Sequence, residues 1–173
     1  MDNKKWFVMI TKSRAEKQVS KRLTEIGVEN FLPLHKQLHI WHDRKKWVDV
    51  PLFFSYIFIK TEDRFRSKVF EAGGLVKYVS IGGKIAILSE DEISRIRCLC
   101  NYLGEVAIEQ GNVKEGDEVE ILTGHFAGFR GQLLHIDGKD RLKISIKGLG
   151  CYATVELDKE MVRRASEELV MAY

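Results

Sequence analysis

Apolar and polar positions divide the chain into a part with helices and strands and a later part with short strands only. Residues 6–10 form a short apolar run, which is typical of a buried strand. Apolar residues then recur at helical spacing over residues 15–26. Ser13 and Glu16 have the spacing of a capping box, which predicts that this helix begins there.

Two strands around a basic turn are predicted over residues 38–50, and an apolar run follows over residues 51–59. Strand alternation along this run places Phe53 on the opposite face from Tyr56 and Phe58. Both faces are apolar or aromatic. The strand must therefore be covered twice, by core on both sides or by the core and a partner protein.

The remaining pattern contains a hairpin, a second helix and then strands alone. Residues 76–87 predict the hairpin, and a capping box at Ser89 and Glu92 predicts that a helix begins there. Residues 103–114 lack a helical pattern and are expected to form a linker. Short strands are then predicted over residues 118–122, 130–136, 141–147 and 151–157. So many short strands in so short a segment suggest a small SH3-like barrel.

Composition indicates a compact cytoplasmic protein. The chain has 173 residues, of which 45% are hydrophobic, and no apolar run approaches the ~20 residues that a membrane-spanning helix needs. Its start leads into a strand-like run and lacks the features of a signal peptide. Three cysteines cannot all pair within one chain, so reduced thiols are the simpler interpretation. We expect a cytoplasmic monomer with no membrane partner.

Positive charge is concentrated near the N-terminus, although the formal net charge of the chain is only +3. Residues 1–60 contain 12 lysine and arginine residues against 6 aspartate and glutamate residues. Residues 112–165 contain 9 of each kind and are neutral. This distribution favours a polyanionic partner for the N-terminal part and a protein partner for the C-terminal part, although modest basic regions are common on soluble proteins.

Two groups of basic residues are candidate contacts for nucleic acid. On the first helix they lie opposite the apolar stripe, and at the tip of the predicted hairpin they lie between Trp41 and Trp47. The candidates are Lys12, Arg14, Lys17, Lys21 and Arg22 in and before the helix, and Arg44, Lys45 and Lys46 at the tip. The alternatives are a solvated lysine face on the helix and a cross-strand tryptophan pair that holds a solvated hairpin.

Motifs for catalysis or metal binding lack support. The spacing of His35, His39 and His42 would suit metal ligands on a helix, but the surrounding pattern predicts a strand. The glycine-rich segment 124–131 lacks the Gly-Lys-Ser/Thr ending of a phosphate-binding loop. We expect no enzymatic activity, no cofactor and no metal.

A glycine-rich turn joins the first two strands of the C-terminal part. Three glycines between positions 124 and 131 allow positive φ, and Phe126 and Phe129 are held on the same tight turn. This segment resembles the KOW motif of NusG-type transcription elongation factors, with His125 where that family most often has proline.

The N-terminal part is similar to the NusG N-terminal domain. The similarity rests on residues 6–8, the basic helix and residues 51–59, where Phe54 replaces the usual proline. With the KOW segment it covers nearly the whole chain in family order. The resemblance implies an α+β fold, in which an N-terminal antiparallel sheet flanked by helices precedes a small all-β SH3-like KOW barrel. It implies an N-terminal domain over residues 4–102, a linker over 103–114 and a KOW domain over 115–166.

The resemblance also implies how each domain acts. In this family the N-terminal domain binds RNA polymerase through an apolar pocket over the β′ clamp helices and a second contact to the β gate loop. The basic helix would face non-template DNA or nascent RNA, and the KOW domain would bind Rho or a small-subunit ribosomal protein. The implied contacts are Ile10, Phe53, Phe54, Tyr56 and Phe58 for the clamp helices, Phe65, Arg66 and Ser67 for the gate loop, and Gly124, His125, Phe126 and Phe129 for the KOW partner.

Two features qualify the implied KOW contact. A packing role is the alternative for Phe126. The turn over residues 147–151 also departs from the family's usual Phe-Gly-Arg, which weakens the case for Rho or ribosome binding.

The implied function is that of a transcription elongation factor that suppresses pausing and termination. Residues 41–51 look most similar to UpxY-type paralogues, which antiterminate capsular polysaccharide operons and share a wider group with RfaH. The resemblance therefore favours an operon-specific antiterminator. Two alternatives stay open, a KOW-containing RNA- or ribosome-binding module without polymerase contact and a general housekeeping NusG.

Overall fold

The computed structural model describes residues 3–111, 116–136, 138–157 and 159–164. The chain forms two compact units that divide between Asn101 and Tyr102. The strands and α-helices of the first unit are, in chain order, β1 (Lys5–Thr11), α1 (Glu16–Glu25), β2 (Glu29–Phe31), β3 (Leu34–Ile40), β4 (Lys45–Pro51), β5 (Tyr56–Thr61), β6 (Leu75–Tyr78), β7 (Ser80–Ile81), β8 (Lys84–Ile85), β9 (Ile87–Leu88) and α2 (Glu90–Asn101). The 3-10 helices Asp63–Phe65 and Lys68–Ala72 lie between β5 and β6.

An antiparallel sheet in the order β2–β5–β1–β6 forms the centre of the first unit, and β9 also pairs with β1. On one face, Val19 and Leu23 of α1 pack in a buried cluster with Phe7 and Ile57 of the sheet. Because successive strand residues point to opposite faces, their neighbours along β1 and β5 supply a second apolar face. Ile57 and Ile59 of β5 are buried on the first face and Phe58 on the second, whereas Tyr56, at the start of the strand on the second face, is half-buried.

The second face of the sheet is contacted by α2. The predicted apolar stripe of this helix is buried at Ile93 and Ile96. The Arg97 guanidinium lies 4.3 Å from the ring centroid of Phe31, and that ring lies 5.8 Å from the ring of Phe58. The prediction of an antiparallel sheet flanked by helices is confirmed.

The two helices begin in different ways. The capping box at Ser89 is confirmed, because the Ser89 N–H donates to the Glu92 carboxylate at 2.9 Å and the Glu92 N–H donates to the serine hydroxyl at 3.2 Å. The box predicted at Ser13 is wrong. α1 begins at Glu16 without a side-chain cap, and the Glu16 carboxylate accepts a hydrogen bond from the N–H of Ser55 at 3.0 Å. The Glu16 carboxylate, which the local pattern assigned to a helix cap, therefore binds Ser55, a residue distant in sequence.

A tight turn separates β4 from β5 and breaks the predicted alternation. The Tyr56 N–H donates to the Phe53 carbonyl at 3.3 Å, and Ser55 between them has a left-handed φ of 59°. The turn resets the side-chain pattern, so the prediction that Phe53 lies opposite Tyr56 and Phe58 is wrong. The ring of Phe53 lies 6.4 Å from that of Tyr56 and 5.9 Å from that of Phe58.

Two predicted hairpins are present in the first unit. β3 and β4 pair along their whole length, with Leu34 opposite Pro51 at the base and Ile40 opposite Lys45 near the tip. β7 and β8 pair around a two-glycine turn at residues 82–83.

The second unit contains strands and short 3-10 turns in its described residues. Its strands are β10 (Val106–Gln110), β11 (Asp117–Ile121), β12 (Arg130–Ile136), β13 (Lys139–Ile146), β14 (Cys151–Glu156) and β15 (Val162–Arg164). They form an antiparallel sheet in the order β10–β14–β13–β12–β11–β15. Val119, Ile144 and Val155 are fully or almost fully buried in its core. The predicted small all-β SH3-like barrel is confirmed.

The segment that precedes the barrel differs from the expected linker. The sequence predicts a linker over residues 103–114, whereas Val106–Gln110 form β10 and pair with β14. The partner strand comes late in the chain, and a local pattern gives no sign of such a pairing. The predicted boundaries at residues 112–115 and 165–166 lie outside the described residues.

Glycines in the KOW-like turn have two different roles. Gly124 and Gly128 adopt left-handed φ values of 84° and 83°, as predicted. Gly131 lies in β12, where a Cβ atom would lie 2.5 Å from the carbonyl oxygen of Lys143. Glycine at this position permits the close approach of two strands rather than a turn.

Candidate functional sites

An apolar surface lies where β1 ends and β5 begins. Ile10 and Tyr56 are directly opposite each other in the β1–β5 register, and Val8 lies opposite Phe58 two residues further along. These side chains share one face of the sheet because they occupy alternate positions. Phe53 joins them from the turn, so four of the five predicted clamp-helix contacts lie together.

Exposure separates the predicted clamp-helix contacts into a floor and a rim. Phe58 is fully buried and Phe53 is only 7% exposed, so their rings form the floor. Ile10 and Tyr56 are half-buried. Phe54 is 78% exposed, more than any other large apolar side chain in the described part of the chain. We call Ile10, Phe53, Phe54, Tyr56 and Phe58 the apolar surface.

Hydrogen bonds from two other elements hold the turn that carries Phe54. The Ser55 N–H donates to the Glu16 carboxylate at 3.0 Å, and the Ser55 carbonyl accepts from the Thr11 N–H at 2.8 Å. Glu16 is buried. Sequence reasoning missed its role here, because its spacing from Ser13 indicated a helix cap.

The predicted gate-loop contacts lie on the other face of the sheet. The Arg66 guanidinium lies 5.7 and 5.9 Å from the ring centroids of Phe7 and Tyr78, and the Tyr78 hydroxyl donates to the Arg66 carbonyl at 2.8 Å. Burial raises the pKa of Tyr78 to about 12, against the opposing effect of Arg66, so this hydroxyl stays protonated at neutral pH. Phe65 and Ser67, the neighbours of Arg66 in the chain, are exposed.

The predicted nucleic-acid contacts of the first helix are exposed. They are Lys12, Arg14, Lys17, Lys21 and Arg22. The Lys17 ammonium donates to the backbone carbonyl of Asp49 in β4 at 3.4 Å, which links α1 to the hairpin. Lys21 lies 3.9 Å from Glu25 in a solvent-exposed pair. The basic helix and the hairpin therefore meet at Asp49.

At the hairpin tip the basic residues divide between two faces. Lys45 and Lys46 are neighbours on β4, so their side chains point to opposite sides. The Arg44 guanidinium lies 5.8 Å from the ring centroid of Trp41. Trp47 lies opposite a leucine in the register, so the alternative of a cross-strand tryptophan pair is wrong. The two tryptophans are 45% and 49% exposed, which leaves their rings available for stacking.

Groups of three or more histidine, cysteine, aspartate or glutamate side chains that could hold a metal ion are absent from residues 3–111, 116–136, 138–157 and 159–164. His35 and His39 lie on strand β3, as the sequence pattern predicts. In the same part of the chain, neither α-helix has the length and apolar character needed to cross a membrane.

The KOW-like turn holds Phe126 in the interior. Phe126 is 1% exposed, and its ring centroid lies 4.9 Å from that of Tyr102 and 5.1 Å from that of His125. This burial supports the packing alternative over an exposed contact residue. Gly124 and His125 are exposed, and Phe129 is half-buried. Sequence reasoning missed Tyr102, which lies outside the glycine-rich motif.

Comparisons with known proteins match both halves of the chain. The family model described as "Transcription termination factor nusG" matches residues 4–97, and the "KOW motif" model matches residues 115–147. Transcription termination/antitermination protein NusG of Thermus thermophilus is 26% identical over 180 residues, which cover 92% of this chain and 98% of that protein. The protein of the same name in Rickettsia felis is 28% identical over 176 residues, which cover 93% and 90%.

A solved structure gives the same likeness. The structure described as "Domain interaction in Thermotoga maritima NusG" has a TM-score of 0.55 and 25% sequence identity, and the match covers 94% of this chain and 97% of that one. The relatives named above carry the general NusG name. A closer likeness to operon-specific paralogues is not shown by these matches.

Proposed function

We propose, because this chain belongs to the NusG family, that it binds RNA polymerase through the apolar surface and suppresses transcriptional pausing and termination. Membership of the family makes it a transcription termination/antitermination factor and not an enzyme. We further propose that it acts in the cytoplasm as a monomer, without a cofactor.

The half-buried pair Ile10 and Tyr56, at the end of the turn that exposes Phe54, is the observation that carries the polymerase proposal. Interface hot spots are enriched in aromatic residues that sit in well-packed apolar surroundings. The buried rings of Phe53 and Phe58 supply that packing beneath the rim. We assign this surface to the β′ clamp helices.

We assign the gate-loop contact to Phe65, Arg66 and Ser67. The hydrogen bond from the Tyr78 hydroxyl to the Arg66 carbonyl supports this assignment, because it holds the segment in one conformation. Contacts on both faces of the sheet would let the N-terminal unit bridge two parts of the polymerase and keep its clamp closed.

The basic residues of α1 and the hairpin are proposed to contact the non-template DNA strand or nascent RNA. Their exposure and the Lys17–Asp49 contact between the two elements support this assignment. Lysine and arginine side chains there would contact phosphate rather than read bases. Exposed Trp41 and Trp47 would stack on unpaired bases.

Reversing charge on α1 should weaken binding to single-stranded DNA. For the variant Lys17→Glu with Lys21→Glu we expect about tenfold lower affinity at low salt, because two phosphate contacts are lost and two repulsive charges are gained. The slope of log affinity against log salt should fall by about 1.4, since each contact to single strands contributes about 0.7. Fluorescence anisotropy of a labelled oligonucleotide at several salt concentrations measures both quantities.

The matched control for this charge reversal is Lys84→Glu in the β7–β8 hairpin, which should leave affinity and slope unchanged. An unchanged salt slope in the double α1 variant would support the alternative of a solvated lysine face.

The second unit, which we call the KOW unit, is proposed to bind a protein partner, Rho or a small-subunit ribosomal protein, through the glycine-rich turn. With Phe126 inside, the residues that remain available for contact are Gly124, His125 and Phe129. The altered turn at residues 147–151 weakens the case for either of these two partners.

The operon-specific form of the activity rests on the hairpin segment over residues 41–51. The second candidate is a general housekeeping NusG, which the names of the matched relatives favour. The two candidates differ in the number of genomic sites at which they would act. A general factor would bind Rho and associate with polymerase across the genome, whereas an operon-specific one would associate at few sites.

Single-round transcription tests the proposed function. With the host RNA polymerase, a template that carries the recruiting operon leader, a pause site and a terminator should give shorter pauses and more read-through when the protein is added. Read-through unchanged by the folded protein, together with salt-sensitive RNA binding, would favour the RNA- or ribosome-binding module instead.

A further inference from the structure

We propose that Glu16 is a positioning residue, which fixes the turn before β5 so that Phe54 projects as a preorganised apolar anchor into an apolar recess of the partner. This inference rests on the proposed polymerase-binding function and adds to it a residue from a different element. It also makes Phe54 a residue that determines which partner surface fits.

The turn places a non-glycine residue in an uncommon backbone conformation. Phe53 and Tyr56 close a β-turn through their carbonyl and N–H groups, which puts Phe54 at its second position and Ser55 at its third. Ser55 has a φ of 59°, a conformation that favours glycine. Proline is common at the second position of such turns because its ring presets φ. Phe54, which stands where the family usually has proline, provides no such restriction.

Glu16 supplies the missing restriction from outside the turn. Its carboxylate accepts the Ser55 N–H at 3.0 Å, and a hydrogen bond to a charged acceptor is stronger than one between neutral groups. Glu16 is 6% exposed, so water competes little for this bond. Its place in the first turn of α1 is also favourable for a negative charge. The Thr11 N–H fixes the Ser55 carbonyl from β1 at 2.8 Å.

Backbone strain is concentrated at the same junction. Among the described residues, the non-glycine residues with positive φ are Arg14 and Ser55, both at 59°. Ser55 is one partner of the Glu16–Ser55 contact, and Arg14 lies two residues before the other partner. Strain of this kind persists where the surroundings enforce it, and it is common at ligand-binding sites.

The side chain that this arrangement presents is the most exposed large apolar group in the described chain. Phe54 is 78% exposed, whereas its neighbours Phe53 and Leu52 are buried and half-buried. An aromatic ring held on a rigid turn loses little conformational freedom on binding, which favours affinity. Its partner must therefore offer an apolar recess beside the part of the surface that covers Tyr56.

A double-mutant cycle on the full chain tests whether Glu16 acts through Phe54. Affinity for host RNA polymerase and thermal stability are measured for wild type, Glu16→Ala, Phe54→Ala, the double variant and Phe54→Pro. We expect about tenfold weaker binding for Phe54→Ala and Phe54→Pro. We expect about fivefold weaker binding for Glu16→Ala. Glu16→Ala should lower the melting temperature both alone and in the double variant, but in the double variant it should cause no further loss of affinity.

Phe54→Pro separates the effect of the aromatic ring on binding from the effect of the turn conformation, because proline restores the preset φ while it removes the ring. Ile87→Ala, an exposed apolar truncation elsewhere on the first unit, is the matched control and should bind as wild type. Wild-type affinity for Phe54→Pro would overturn the inference. It would also be overturned if Glu16→Ala lowered the affinity for polymerase equally in the wild-type and the Phe54→Ala background.

The variant Tyr56→Ala distinguishes failure of this inference from failure of the proposed function. Loss of binding for Tyr56→Ala with no loss for Phe54→Ala would overturn the anchor alone. If the wild-type protein does not bind polymerase, both the proposed function and the proposed role of Phe54 are contradicted.

Discussion

Replacing Tyr56 by alanine is expected to lower the affinity for RNA polymerase by about 30-fold while the protein stays folded. Tyr56 is half-buried, and its ring faces Ile10 across the β1–β5 register and stacks on Phe53. Truncation removes the centre of the apolar surface but leaves the fully buried residues of β5 in place. Titration of labelled protein with polymerase core enzyme measures the affinity.

The control for Tyr56→Ala is Ile81→Ala, an exposed apolar truncation in the β7–β8 hairpin that should bind as wild type. Circular dichroism and thermal melting establish that both variants are folded. A folded Tyr56→Ala protein with wild-type affinity would contradict the assignment of the apolar surface. Phe53→Ala is a poorer test than the sequence suggests, because Phe53 is buried and its truncation would cost about 3–5 kcal/mol of stability.

Replacing Phe126 by alanine is expected to destabilise the KOW unit by about 3–5 kcal/mol. Its ring is almost fully buried and packs near the rings of Tyr102, His125 and Phe129. Removal of this ring leaves a cavity in a small core that has few other large side chains to fill it. Urea unfolding, followed through tyrosine fluorescence and hydrogen exchange of the KOW unit, measures the change in the free energy of unfolding.

His125→Ala is the matched control for Phe126→Ala. His125 is exposed in the same turn, so its loss should change the unfolding free energy by about 1 kcal/mol, much less than the loss of Phe126. The packing role would be contradicted if Phe126→Ala kept wild-type stability and lost a protein partner. That result would return Phe126 to the contact role implied by the family resemblance.

Local sequence patterns predicted the features of the fold that depend on near neighbours. The capping box at Ser89 and the buried stripe through Ile93 formed as expected, because each needs only residues three or four positions apart. The left-handed glycines of the KOW-like turn were predicted for the same reason. The hairpin over residues 38–50 followed from its alternation and its turn.

Features that depend on distant residues could not be predicted in this way. Glu16 has the spacing of a cap residue from Ser13, yet Ser55 is its partner because the fold brings the two loops together. Phe53 changes face because one left-handed residue resets the alternation. The strand Val106–Gln110 depends on pairing with β14, which the local pattern around it does not reveal.

The residues of the candidate site were proposed from the sequence, but the difference in their burial was not predicted. The resemblance to the NusG family led to the five residues of the apolar surface, and the structure brings four of them together on one face. The sequence could not show that Phe58 is buried and Phe54 exposed, since strand alternation places both side chains on the same face.

Competition for polymerase tests the central proposal most directly. Binding of the full chain to host RNA polymerase elongation complexes is measured with and without an excess of an isolated β′ clamp-helix fragment. We predict saturable binding that the fragment displaces, and no displacement by a fragment whose apolar tip residues are replaced by serine. Binding that the intact fragment does not displace, or no binding by the folded protein, would contradict the polymerase-binding assignment of the apolar surface.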